Sequence, residues 1–206
     1  MFPDLVGIRM KMASFVKRLL LIDNYDSFTY NLVHLFKKVD KNLLIDVIMN
    51  DQRIDDDQII KYDYICISPG PSTPKESGIS NLIIKKIYKT KPMLGVCLGM
   101  QCIASSFGNK IVHAPYPTHG KTCVCINNGT NLFRGFERSI EIARYHSLIV
   151  EDVNQEEFSI DANSEDGVIQ AITHKKYPIF GIQFHPESFM AENGEKIILN
   201  FLNYDC

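Results

Sequence analysis

Nowhere does this chain carry an apolar run long enough to cross a bilayer. Its first 18 residues, MFPDLVGIRMKMASFVKR, are too polar for the hydrophobic core of a secretory signal. Basic runs are missing as well: the formal net charge is −2 and no Lys/Arg-rich face is apparent, so neither nucleic acid nor a membrane is expected as a partner. There is no C-x-x-C pair among Cys66, Cys97, Cys102, Cys123, Cys125 and Cys206, and their spacing builds no disulfide framework. That usage fits a reducing compartment, and a cytoplasmic location is expected. Cys123 and Cys125 alternate along one predicted strand, but no second ligand pair has zinc spacing, so no metal site is expected. The acidic run Asp55-Asp56-Asp57 reads as a solvated turn or a helix start.

Repeats, low-complexity tracts and linkers are also lacking. The 206 residues, 45% hydrophobic and 22% charged, suffice for one domain with a sizeable buried core and are too few for two ordinary ones. Residues 1–18 read as an N-terminal extension, with an organellar transit role as the second choice and Met10 and Met12 as alternative starts. The domain is expected over residues 19–206.

What the chain does have is a regular alternation of strand and helix signals. The apolar run at 19–23 suits a strand buried on both faces, and residues 43–49, 62–68 and 92–96 read as further strands. Phe28, Leu32, Leu35, Phe36 and Val39 follow helical spacing after a cap at Asp26 or Ser27, Leu82, Ile83 and Ile87 mark a second helix, and residues 98–107 a third, closed by Gly108. Beyond Gly108 come short strand-like segments at 110–113, 122–126, 139–144, 157–162, 167–173 and 178–184, and then a helix over 193–203. The pattern predicts a single α/β domain: a mostly parallel sheet with helices on both faces and antiparallel additions in the second half.

Gly95-Val96-Cys97-Leu98-Gly99 stands between a predicted strand and a predicted helix. In this G-x-C-x-G form the glycines permit a tight turn that lifts the cysteine out at the carboxyl edge of the sheet, where open parallel sheets bind ligands. The helix that follows favours a thiolate, and the Leu98 amide is a natural oxyanion donor. A thiol nucleophile needs a base and an orienter. His185 ends an apolar strand, and Glu187 lies two residues on, where an extended chain puts it on the same side. The rigid loop Ser68-Pro-Gly-Pro-Ser-Thr-Pro74 ends the third strand, and its Gly70 region could give a second oxyanion donor. Cys66 and Cys102 read as core.

Six segments in order, DNYDSFTYN (23–31), SPGPSTP (68–74), GVCLGMQ (95–101), HGKT (119–122), RYHSL (144–148) and GIQFHPES (181–188), resemble class I glutamine amidotransferases. More narrowly, they are similar to the small glutaminase subunits of anthranilate synthase and aminodeoxychorismate synthase. The resemblance implies a flavodoxin-like domain with a Cys97, His185, Glu187 triad. It implies glutamine bound at Gly70, Pro71, Ser72, Gln101, Ser147 and Leu148, and no cofactor. It also implies a partner, the large chorismate-binding synthase subunit, in a hetero-oligomer. L-Glutamine would be hydrolysed through a thioester and the ammonia channelled to that partner, which would dock on the 24–29 turn, the 116–121 loop and the 145–148 segment. Anthranilate synthase is the first expectation, and aminodeoxychorismate synthase or a subunit shared by both is the alternative. A free-standing γ-glutamyl hydrolase and a degenerate scaffold are further readings. Two positions depart from the family pattern. Ser72 stands where glycine is usual and is expected to shift the loop's backbone, and Met100 stands where histidine is common and is expected to affect packing.

Overall fold

Leu19, Leu20, Leu21 and Ile22 are consecutive on one strand, and none has any solvent exposure. A strand presents alternate residues to opposite faces, so this burial demands cover on both sides of the sheet. The computed structural model of the protein describes residues 16–204 and supplies that cover. The parallel half contains β1 (Arg18–Asp23), α1 (Thr29–Val39), β2 (Leu44–Met49), α2 (Asp56–Ile59), β3 (Tyr64–Ile67), α3 (Ile79–Ile87), β4 (Met93–Val96) and α4 (Leu98–Ser106). The second half adds β5 (Ile111–Asn127), β6 (Ser139–Val150), β7 (Phe158–Ser164), β8 (Ile169–His174), β9 (Ile179–Ile182) and α5 (Gly194–Leu202).

The strands form one sheet in the order β2-β1-β3-β4-β9-β8-β7-β5-β6. The pairings from β2 to β9 are parallel, and those from β9 to β6 are antiparallel. Leu19 and Leu21 pack with Leu32 and Phe36 of α1 and Phe201 of α5, whereas Leu20 and Ile22 pack with Ile83 and Ile84 of α3 and Ile103 of α4. Both layers expected from the sequence are present. Among the described residues no helix is long and apolar enough to cross a membrane. Residues 1–15 of the expected extension lie outside the described residues, and Arg18 already opens β1.

Three expectations are corrected. The segments at 110–113 and 122–126 are one 17-residue strand, β5, because register shifts between His113 and Thr118 and between His119 and Lys121 absorb Pro115, Pro117 and Gly120. The expected 116–121 loop is therefore a bulged strand, and residues 145–148 lie within β6. α1 begins after Phe28, with no side-chain cap; Asp26 instead accepts the Phe28 amide at 2.8 Å. The acidic run does start a helix, since Asp55 forms a capping box with Gln58 ahead of α2.

The elbow at the end of β4 depends on two backbone approaches. A Cβ on Gly95 would lie 2.4 Å from the carbonyl carbon of Gly99, and one on Gly99 would lie 2.2 Å from the carbonyl oxygen of Ile67 on β3. Gly99→Ala is therefore expected to lower stability by about 2 kcal/mol or more, as overpacking against rigid backbone does. Urea unfolding measures this, and an unchanged midpoint would contradict the packing described.

Candidate active site

Cys97 occupies the strand-to-helix turn with φ 52° and ψ −105°, a region disfavoured for any residue with a Cβ. Its amide donates to the Ile182 carbonyl of β9 at 2.7 Å, and its carbonyl accepts from Gln101 at 3.2 Å, so the strained residue is tied on both sides. Leu98 follows as the first residue of α4, and its amide has no partner within the helix. The side chain of Cys97 is buried, and Gln183 Nε2 donates to Sγ at 3.5 Å.

His185 lies just beyond β9, the strand paired with β4, and its amide donates to Ala143 of β6 at 3.1 Å. Nδ1 is 2.7 Å from Glu187 Oε1, and the two side chains are 5% and 1% exposed. Nε2 has no hydrogen-bond partner of ordinary geometry, yet Cys97 acts on the ring. Burial opposes the imidazolium most strongly, but Cys97 and then Glu187 outweigh it and hold His185 well above the usual histidine value. The arrangement can anchor Nδ1 on a carboxylate and exchange a proton between Nε2 and the thiol. Tyr145 packs edge-on against the ring at 5.1 Å. Asp26 lies close enough to feel both His185 and Glu187, and burial raises its carboxyl pKa.

A cavity of about 350 Å³ opens over Cys97, a volume in the range of small-molecule sites. Gly70, Pro71, Ser72, Gln101, Ser147 and Leu148 all line it, as does Leu98. His185 and Glu187 do not. They line a smaller cavity of about 160 Å³ together with Phe28, Asn31, Tyr145, Ser188 and Phe189. Gly70 reaches the site because it lies directly on the first turn: a Cβ there would sit 2.5 Å from Asn24 Cβ and 3.0 Å from Leu98 Cδ2. Asn24 ties the ends of β1, β2 and β3 to α3. It donates to the Ser68 carbonyl (3.0 Å), accepts from Asn50 (3.0 Å) and Ser80 (2.9 Å), and donates its amide to Ser68 Oγ (2.9 Å). Ser72 has φ 70°. Ser72 therefore holds a left-handed backbone that suits glycine and carries its strain. Met100 is fully buried, and a Cβ on Gly181 would meet its Cγ at 2.7 Å, so it does pack as expected.

Cys66, Cys102 and Cys125 behave as core. Burial pushes the Cys66 thiol well above its ordinary value and raises Cys102 and Cys125 to about 12. Among the described residues no group of three or more His, Cys, Asp or Glu side chains is placed to hold a metal. The sequence pointed to His119 and His146 only as histidines in suggestive loops and gave no sign of Asn24, His113, Tyr145 or Gln183 as site residues. His119 bonds Ser147 Oγ at 3.1 Å across the cavity mouth. His146 lies between Arg144 Nε and the Leu148 carbonyl, each at 3.1 Å, and Arg144 pairs with Asp166 at 2.7 Å. The signal for these residues lay in the quoted segments DNYDSFTYN, HGKT, RYHSL and GIQFHPES, which hold all of them but His113.

The class-I glutamine amidotransferase family profile matches residues 20–204, and the chain belongs to that family. It is 45% identical over 188 residues to anthranilate synthase component 2 of Cyanophora paradoxa, covering 90% of this chain and 98% of that one. It is 43% identical over 187 residues to aminodeoxychorismate synthase component 2 of Escherichia coli, covering 90% and 99%. It is also 45% identical over 190 residues to the bifunctional protein TrpGD of Thermotoga maritima; that match takes in 91% of this chain but only 32% of the longer protein. A solved structure from Thermoplasma acidophilum, described as a putative GMP synthase subunit, superimposes with a TM-score of 0.80 at 26% identity, covering 91% and 93%.

Burial first, and then the Arg144 cation, lower the His146 pKa from 6.5 to about 4. Between those values the unfolded chain binds the proton more readily than the folded one, so stability falls as pH drops through that window. His146 is expected to contribute up to about 3 kcal/mol of this loss. Urea midpoints at pH 7 and pH 5 should differ less in His146→Gln than in the wild type; an equal difference in both would contradict the assignment.

Proposed function

We propose that this chain is the glutaminase subunit of a chorismate-aminating synthase, and of the two such synthases, anthranilate synthase. The reading is carried by one observation: Cys97, a buried His185–Glu187 pair and the Gly70 loop lie at the carboxyl ends of three neighbouring strands, beside a cavity lined by every expected glutamine-binding residue. The names borne by the Cyanophora and Escherichia relatives support the synthase assignment.

In the proposed reaction the Cys97 thiolate adds to the side-chain carbonyl carbon of L-glutamine, forming a C–S bond. The amides of Leu98 and Gly70 face the developing oxyanion. His185 Nε2 gives its proton to the amide nitrogen, the C–N bond breaks, and ammonia leaves a glutamyl thioester. His185 then takes a proton from water, which attacks the thioester and releases glutamate and the thiolate. Glu187 keeps Nδ1 anchored through both steps. Ammonia must stay unprotonated to be useful, so it passes into the partner without meeting bulk water. The partner covers large exposed side chains: Phe28 and Phe189 of the smaller cavity, the latter 93% exposed, and Tyr116 on the bulged part of β5.

Cys97→Ser is expected to abolish glutamine-dependent product formation by the complex while ammonia-dependent synthesis survives. Anthranilate fluorescence is the expected readout. Accumulation of 4-amino-4-deoxychorismate alone would assign the chain to the other synthase, and full glutamine use by Cys97→Ser would overturn the mechanism. Phe189→Asp is expected to weaken binding of the synthase partner by about tenfold or more, as loss of a central interface aromatic does; calorimetric titration measures it, and an unchanged affinity would place the interface elsewhere.

A further inference from the structure

Gln183 has no solvent exposure, although it directly follows the apolar strand Ile179–Ile182. A buried primary amide is tolerated only where its donors and acceptor are matched. Its Nε2 donates to Cys97 Sγ at 3.5 Å, and its Oε1 accepts from Gln101 Nε2 at 3.1 Å. We propose that Gln183 is a positioning residue for the nucleophile, aiming an N–H at the Cys97 sulfur, and that a hydrogen-bond chain starting at the Leu148 carbonyl fixes its orientation. The inference deepens the reading of Cys97 as the attacking thiol and rests on it.

The polarity of the chain follows from which groups can accept. Arginine has no acceptor, so His146 Nε2, 3.1 Å from Arg144 Nε, must accept. The neutral ring then carries its proton on Nδ1 and donates to the Leu148 carbonyl at 3.1 Å. That carbonyl can only accept, which turns the NH2 of Gln101 toward it at 3.0 Å. The second Gln101 N–H points at Gln183, whose facing atom must therefore be oxygen. The NH2 of Gln183 is left for the sulfur. Were Gln183 flipped, two NH2 groups would oppose each other and a carbonyl oxygen would face Sγ. Arg144, paired with Asp166, sets only the His146 tautomer, and the Leu148 carbonyl sets the direction of the Gln101 and Gln183 bonds.

A donor on sulfur favours the thiolate and holds the rotamer from which it attacks. It gives nothing to ground-state binding of the substrate, so its loss falls on kcat rather than KM. Gln183→Met removes the donor at similar length, and Gln183→Glu sets an oxygen against the sulfur. Assayed in complex with the synthase partner, both are expected to lower the glutamine-dependent kcat by about 10- to 100-fold, the range for a hydrogen bond to a charged group. KM for glutamine should stay within about threefold. Asp166→Asn leaves Arg144 an obligate donor and should keep kcat within about twofold. Alkylation of Cys97 by iodoacetamide needs no turnover, and its rate at neutral pH should fall at least about tenfold in Gln183→Met. Unchanged kcat and alkylation would overturn the proposal. A Gln183-dependent alkylation rate in a protein that never hydrolyses glutamine would sustain it while removing the functional reading beneath it. In the wild-type fold, the side-chain amide NMR resonance of Gln183 should move when Cys97 is alkylated, and a resonance that stays in place would overturn the proposal without any variant.

Discussion

The contact between the backbones of Gly95 and Gly99 is the constraint on which the site depends. It closes the turn between β4 and α4 so tightly that the residue between them takes φ 52°, and the helix starts at once. Gly99 lies equally close to the Ile67 carbonyl, so the turn is also pinned to the neighbouring strand β3. A strained residue persists only when its surroundings over-determine it. Here they do, through hydrogen bonds from Cys97 to Ile182 and from Gln101 to Cys97. The sulfur is fixed first, and the rest is arranged around it.

Sheet order does that arranging. β4 lies between β3 and β9, so the proline loop and the His185 segment flank the cysteine as a direct consequence of topology. Asn24, at the end of β1, fastens the loop through Ser68 and reaches Asn50 after β2 and Ser80 on α3. The antiparallel half supplies the opposite wall: β6 brings Tyr145 to Leu148, and the bulged part of β5 brings His113 and His119. Burying a histidine and a carboxylate together costs solvation energy that only mutual pairing offsets. The 2.7 Å contact between His185 and Glu187 provides it and leaves Nε2 free.

The parallel half was legible because β1, β3 and β4 are mostly apolar runs and α1 and α3 each have an apolar stripe. Observed strands at 18–23, 44–49, 64–67 and 93–96 differ from the expected spans by a residue or two. The second half was harder. Pro115, Pro117 and Gly120 look like a loop, and nothing local reveals that bulges carry the strand through them. Cys97 stood out because it ends a strand between two glycines, and His185 and Glu187 because they flank Pro186; the chain there is a turn, not the expected extended link, and the turn still pairs the two side chains. Among the cavity residues Pro71, Ser72, Gln101, Ser147 and Leu148 were legible only through resemblance, as no periodicity distinguishes Ser147 from any other strand serine. Gln183 was hidden for a related reason: one polar residue after an apolar strand looks like its solvent-facing end, and its burial depends on α4 and β8 folding over it.

The central claim is that the sulfur at position 97 becomes covalently joined to the substrate. Acid-quenching the complex during turnover of isotopically labelled glutamine, followed by peptide mass analysis, tests this most directly. A glutamyl group on the peptide containing Cys97, labile to hydroxylamine, is the predicted result. Label on a different residue, or steady hydrolysis with no label on Cys97 even when turnover is slowed by cold, would contradict it.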